Sequence, residues 1–248
     1  MNLLENKICL ITGTNRGIGA ALLESFAREK AIIYANARKL GSIDEQVKNL
    51  IKKYKTAIIP VYFDIRDTSS ITNTMIKIQK EQGRLDILIN NAGIMQDALI
   101  GMISKELMRD IFETNVFASM ELLQYASRMM KKHKSGSIIN FSSIVGIHGN
   151  KGQLVYSASK GAVVSMTKTA AKELAPYHVR VNAIAPGMIN TDMFRSIGEE
   201  HIKEHVDRIG MGYLGTPEEV ADACVIIASD YARYMTGQII GVDGAAVV

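Results

Sequence analysis

The sequence predicts an α/β fold, built on a doubly wound parallel sheet of about seven strands. Short apolar runs alternate with longer amphipathic ones along all 248 residues. The short runs are apolar on both faces, as strands covered on both sides by helices must be. A glycine-rich turn follows the first run and opens a helix, the arrangement that feeds a right-handed crossover.

The strand-like runs fall at 8–11, 32–35, 57–63, 87–89, 137–141, 179–184 and 238–242. Amphipathic helical patterns fall at 18–29, 44–54, 70–82, 105–132, 156–175 and 217–228. Pro217 followed by Glu218 and Glu219 marks a helix start, because proline fits the first turn and acids suit the positive end of the helix dipole. There is no repeat, low-complexity stretch or linker, so a single domain over 1–248 is expected. Residues 188–215 break the alternation after a strand end, where a substrate lid or a surface helix pair would both fit.

Composition narrows the function. Charged residues make up 22% and hydrophobic ones 47%, with a net charge of +4, as in a soluble globular protein. No apolar run approaches the ~20 residues of a membrane span. Residues 1–7 lack the basic, apolar and cleavage regions of a signal peptide, so a cytoplasmic location is expected. The densest basic patch, 131–134, is short and reads as a solvated helix end rather than a nucleic-acid surface. Cys9 and Cys224 form no ligand or disulfide pattern, and no metal site is expected. Cys9 reads as a buried inert thiol.

The turn Thr12-Gly13-Thr14-Asn15-Arg16-Gly17-Ile18-Gly19 sits between strand and helix. Glycines there let the backbone approach a pyrophosphate, which the helix N-terminal amides then hold. The second strand ends in Asn36-Ala37-Arg38, without the carboxylate that would accept from ribose hydroxyls. Arg38 and Arg16 could meet a 2′-phosphate, which favours NADPH over NADH. Asp64 after the third strand is either an adenine acceptor, with Ile65 against the ring, or a helix cap. Asn90-Asn91-Ala92-Gly93 ends the fourth strand with small residues beside the same site.

Tyr156 and Lys160 are four apart on one helix and share a face. Carbonyl reduction needs a proton on the oxygen as hydride reaches the carbon. A free phenol has a pKa of about 10, and lowering it by ~3 units takes about 4 kcal/mol. One cation at ~4 Å supplies about that much at an effective dielectric near 20. Ser142 and Ser143 end the fifth strand, and either hydroxyl could hold the substrate oxygen. Asn115 lies within a helical pattern, where asparagine is disfavoured unless something uses it.

Taken together these motifs resemble the short-chain dehydrogenase/reductase superfamily in its single-domain, Rossmann-type form. The likeness covers the Thr-Gly-x-x-x-Gly-x-Gly turn, Asn-Asn-Ala-Gly, the serine, Tyr-x-x-x-Lys and Pro186-Gly187, in the family's order. The resemblance implies Tyr156 as general acid and Lys160 as the residue that lowers its pKa and binds the nicotinamide ribose. It implies Ser143, 13 positions before the tyrosine, as the substrate-orienting hydroxyl, with Asn115 anchoring a relay water. Pro186, Gly187, Ile189 and Thr191 would flank the nicotinamide. It also implies a homotetramer, with interfaces on the helix at 156–175 and the tail at 245–248.

Within the superfamily the sequence is most similar to 3-oxoacyl-[acyl-carrier-protein] reductases, through Val145-Gly146, Gly149-Asn150-Lys151-Gly152-Gln153, 187–193 and Thr236-Gly237-Gln238. Lys134 matches one of the basic positions that dock the carrier, and Tyr177 occupies the other. Val242-Asp243-Gly244-Ala245 replaces a double glycine. The expected activity is NADPH-dependent ketone reduction on a small-molecule or carrier-bound 3-oxoacyl thioester. Oxidation of a sugar, steroid or other secondary alcohol is the alternative, and a non-catalytic cofactor sensor is a third. Met95, Met188 and Met193 could shape an apolar site or simply fill core.

Overall fold

Alternate residues of one strand serve two different cores. In a computed structural model, which describes residues 2–191 and 206–246, Cys9 and Ile11 of β1 (Ile8–Ile11) pack with Leu22, Phe26, Val47, Val220 and Val225. Ile8 and Leu10 point the other way and pack with Ile71, Leu88, Leu122, Met130 and Leu174. A two-sided apolar strand thus makes a three-layer molecule, because period-2 geometry sends neighbouring side chains to opposite faces.

Seven strands make one parallel sheet: β1, β2 (Ile32–Ala37), β3 (Ile58–Tyr62), β4 (Ile87–Asn90), β5 (Gly136–Phe141), β6 (Val179–Pro186) and β7 (Ile239–Val242). Their order is β3-β2-β1-β4-β5-β6-β7, so the chain reverses its winding between β1 and β4. Ligands bind outside the C-terminal strand ends at such a reversal. Helices α1 (Gly17–Arg28), α2 (Asp44–Tyr54) and α8 (Pro217–Ala228) cover one face. Helices α3 (Thr68–Gln82), α5 (Ala118–His133) and α7 (Leu154–Leu174) cover the other.

Local chemistry sets the helix starts. Asp67 caps α3 by accepting from the Ser69 amide at 3.0 Å. Thr216 and Glu219 form a reciprocal capping box around Pro217, so α8 starts where the sequence predicts. Two expectations need correction. The helix expected over 105–132 is two helices, α4 (Lys105–Phe112) and α5, joined by a π-helical turn at Glu113–Phe117. The short α6 (Val145–His148) was not foreseen. No helix among the described residues is long and apolar enough to cross a membrane.

The segment 188–215, expected as a lid or helix pair, is seen only at its ends. There Asn190 N–H donates to the Gly215 carbonyl and Gly215 N–H to the Met188 carbonyl, at 2.8 and 3.1 Å. Residues 192–205, with Met193, and the tail beyond 246 lie outside the described residues.

Candidate functional site

The phosphate turn is tied down from three sides. Thr14 donates its N–H and hydroxyl to the Asn36 carbonyl, at 2.9 and 3.0 Å. The Gly13 amide donates to Asn36 Oδ1 at 3.3 Å, while Asn36 Nδ2 donates to the Phe63 carbonyl at 3.1 Å. Sequence reasoning noted Asn36 only for not being an acid. The structure makes it the buried joint between the turn, β2 and β3. Its signal was a polar side chain inside an apolar strand run.

Two glycines of the turn are sterically required. Gly13 has φ +72°, and a Cβ there would sit 3.0 Å from Ala92 Cα. A Cβ on Gly19 would run into the Gly13 carbonyl oxygen. Arg16 is extended at the N-cap of α1 and makes no side-chain cap, and the first turn carries no acid. The α1 amides are therefore left for an anionic ligand beside a cationic residue. That geometry fits the pyrophosphate of a nicotinamide dinucleotide.

Several other residues expected at the cofactor lie along the same edge. Thr12 Oγ1 accepts from the Asn91 and Ala92 amides, both at 3.1 Å, and Asn91 Nδ2 donates to the Thr12 and Gly13 carbonyls. A Cβ on Gly17 would meet Thr191 Cγ2 at 3.4 Å, so the loop after β6 closes onto the phosphate turn. The Pro186 carbonyl accepts from Ile144 N–H, and Gly187 N–H donates to the Val242 carbonyl at 3.0 Å. Ile189 is buried beneath.

Arg38 is exposed just past β2. Asp64, just past β3, does not cap α3; Asp67 does. Instead Asp64 takes the guanidinium of Arg66, which holds its carboxyl below the usual carboxylate range. Ile65 is packed in the core with Phe63 and Ile71.

Tyr156, Lys160, Ser143 and Asn115 converge at the C-terminal ends of β4 and β5. Asn115 uses the π turn to reach back: Nδ2 donates to the Ile94 carbonyl at 2.9 Å and Oδ1 accepts from Ile94 N–H at 2.8 Å. Nδ2 also donates to Ser159 Oγ at 3.1 Å. A Cβ on Gly93 would lie 3.2 Å from Asn115 Oδ1 and 3.5 Å from Lys160 Nζ, so these three meet. The two serines are placed differently. Ser142 Oγ donates to the Lys160 carbonyl at 3.0 Å and is buried, while Ser143 Oγ accepts from Val145 N–H at 3.4 Å and its hydroxyl acts on the Tyr156 phenol, lowering its pKa.

One electrostatic expectation is corrected. Burial pushes the Tyr156 phenol up to about 12, helped by the Asp97 carboxylate and opposed by the Ser143 hydrogen bond. Lys160 does not offset this, because its Nζ turns to the Phe141 carbonyl at 2.7 Å and lies 5.6 Å from the Tyr156 ring centre. Burial pushes the Lys160 ammonium down to about 8. Burial thus makes the phenol a weaker acid than a free tyrosine, beside an ammonium with two further donors.

Sequence reasoning missed the neighbours of this group. Gln153 is buried ahead of α7; it donates to Asp97 Oδ1 at 3.1 Å and accepts from Asn150 Nδ2 at 3.2 Å. It thereby joins the loop after β4 to the loop before α7. Two hollows of about 480 and 540 Å³ flank the first of these loops, sharing Ala98, Leu99 and Gly152. Tyr156 lines neither.

A family model described as "Enoyl-(Acyl carrier protein) reductase" matches residues 13–245. The 3-oxoacyl-[acyl-carrier-protein] reductase FabG of Thermotoga maritima is 41% identical over 99% of each chain. The 3alpha-hydroxysteroid dehydrogenase of Mediterraneibacter gnavus is 38% identical over 98% of each. Among solved structures, L-sorbose reductase from Gluconobacter frateurii, complexed with NADPH and L-sorbose, aligns with a TM-score of 0.95 at 27% identity. That alignment covers 100% of this chain and 99% of the other. The parallel sheet, the glycine turn at its winding reversal and these whole-length likenesses lead to one conclusion: the chain belongs to the short-chain dehydrogenase/reductase family and is an NAD(P)-dependent oxidoreductase.

Proposed function

We propose that this enzyme is an NADPH-dependent ketone reductase acting on a 3-oxoacyl thioester. The observation that carries the reading is the gathering of Asn115, Lys160 and Ser143 around Tyr156, with the phenol one helical turn from the Lys160 ammonium. A bound NADPH supplies the hydride. Ser143 Oγ orients the ketone oxygen, and Tyr156 Oη gives it a proton as negative charge develops. General acid assistance of this kind contributes about 10²–10⁴-fold. In this reading Lys160 Nζ turns one of its two remaining donors from its resting position to the phenolate left behind, and Asn115 holds the lysine's surroundings in place.

Arg38 and Arg16 support the choice of the phosphorylated cofactor, with no acid at the end of β2. A carrier-borne substrate is supported by Lys134, exposed at the end of α5. Tyr177 stands at the second docking position, yet Lys131 Nζ lies 5.3 Å over its ring, so a cation is present there. A cytoplasmic homotetramer belongs to the same reading. Oxidation of a hydroxysteroid is the second reading, favoured by the Mediterraneibacter gnavus likeness.

The test is NADPH and NADH oxidation with an acetoacetyl thioester, a crotonyl thioester and a 3-oxosteroid. We expect the ketothioester with NADPH to give the highest kcat/KM and the crotonyl thioester to give none. A preference for the steroid, or reduction of the crotonyl double bond, would replace the proposal.

A further inference from the structure

The short helix α6 follows the Ser143 turn and has no part in the chemistry above, yet its second residue presses on Lys160. A Cβ on Gly146 would lie 2.6 Å from Lys160 Cβ, 2.8 Å from the Lys160 carbonyl carbon and 3.1 Å from the Gly161 nitrogen. Gly146 does not have a positive φ, so backbone freedom does not account for a glycine here; the missing side chain does. The contact is reciprocal, because a Cβ on Gly161 would stand 3.3 Å from the Gly146 carbonyl oxygen. Gly161 lies inside α7, where glycine weakens a helix relative to alanine. The close approach of α6 to α7 accounts for both glycines.

The chain leading to Gly146 grips the same turn of α7 at two further points. The Phe141 carbonyl accepts from Lys160 Nζ at 2.7 Å, and Ser142 Oγ donates to the Lys160 carbonyl at 3.0 Å. Ser143 comes next, and its hydroxyl acts on the Tyr156 phenol. Its turn is tied to α6: Gly146 N–H donates to the Ser143 carbonyl at 3.0 Å, and Val145 N–H to Ser143 Oγ at 3.4 Å. Moving α6 away from Lys160 therefore carries Ser143 away from Tyr156.

We infer that Gly146 is a positioning residue for the reduction: lacking a side chain, it sets the gap between the Ser143 turn and the turn of α7 that carries Tyr156 and Lys160. The inference rests on the proton-transfer reading of those residues and on no particular ketone. Carbon atoms in contact stand about 3.5–4.0 Å apart. An alanine at 146 therefore opens the gap by roughly 1 Å. A misplacement of that size costs up to ~10²-fold in rate.

Gly146→Ala and Gly161→Ala test this with the ketone that the wild type reduces best. Turnover at saturating substrate and cofactor is divided by the number of sites that bind the reduced cofactor, so unfolded protein drops out of the value. Gly146→Ala lowers kcat per site by about 10–100-fold. Gly161→Ala overlaps the same contact less and adds helix propensity, so it raises Tm yet slows each site about two- to threefold. A more stable but slower enzyme is not what a purely structural contact gives, and this second variant decides the matter if Gly146→Ala does not fold. Wild-type kcat per site in either variant would overturn the inference. A wild type that reduces no ketone would instead remove the reading on which this rests.

Discussion

Lys160 carries the largest conflict between stability and use. Its ammonium is buried, with the Phe141 carbonyl as its hydrogen-bond partner, and is held near 8 rather than 10.5. The folded pKa is below the unfolded one, so the unfolded chain binds the proton more tightly. Stability thus rises with pH between about 8 and 10.5, and the full penalty applies below about 8. Replacing the ammonium by an apolar chain of similar length relieves it. We expect Lys160→Met to unfold at higher denaturant at pH 7, with about 1–2 kcal/mol more stability, while losing activity. Equal or lower stability would show that the Phe141 hydrogen bond outweighs the burial.

At the scale of elements, the turn after β7 places a residue other than glycine at positive φ. Ala245 sits there with φ +59°, in the left-handed region that a Cβ disfavours. Its N–H is held by Asp243 Oδ1 at 2.9 Å, and Gly210 N–H donates to its carbonyl at 3.3 Å, so the surroundings impose the conformation. Ala245→Gly should raise stability by a few tenths to about 1 kcal/mol, readable as a higher Tm; a fall would mean that the freedom glycine adds to the unfolded chain outweighs the relief of the left-handed conformation. The same scale shows what the sequence could and could not reveal. The strands and the glycine turn were legible because period-2 burial and obligate glycines leave residue-level marks. The π turn at Glu113–Phe117 was not, because one extra residue barely disturbs a helical apolar period. Nor was the different placement of Ser142 and Ser143, where the strand end turns one hydroxyl to the Lys160 carbonyl and leaves the other near Tyr156. The side chain of Asp64 was ambiguous because its partner, Arg66, is identified only by the path of the loop.

For the molecule as a whole, the order β3-β2-β1-β4-β5-β6-β7 explains why residues as far apart as Gly13, Asn91, Ser143, Tyr156 and Thr191 serve one edge. Parallel strands put every C-terminal end on the same side, and the reversal between β1 and β4 opens the crevice there. In the proposed function, the glycine turn fixes where a dinucleotide lies, and β5 with α7 fixes where a proton is given. The account's central claim is that the Tyr156 phenol delivers this proton while contributing little to cofactor binding. The most direct measurement is Tyr156→Phe, with kcat for ketone reduction and the NADPH dissociation constant determined on the same preparation. A kcat lowered by about 10²–10⁴-fold with the dissociation constant unchanged is the predicted result. Reduction at the wild-type rate with cofactor still bound would contradict it.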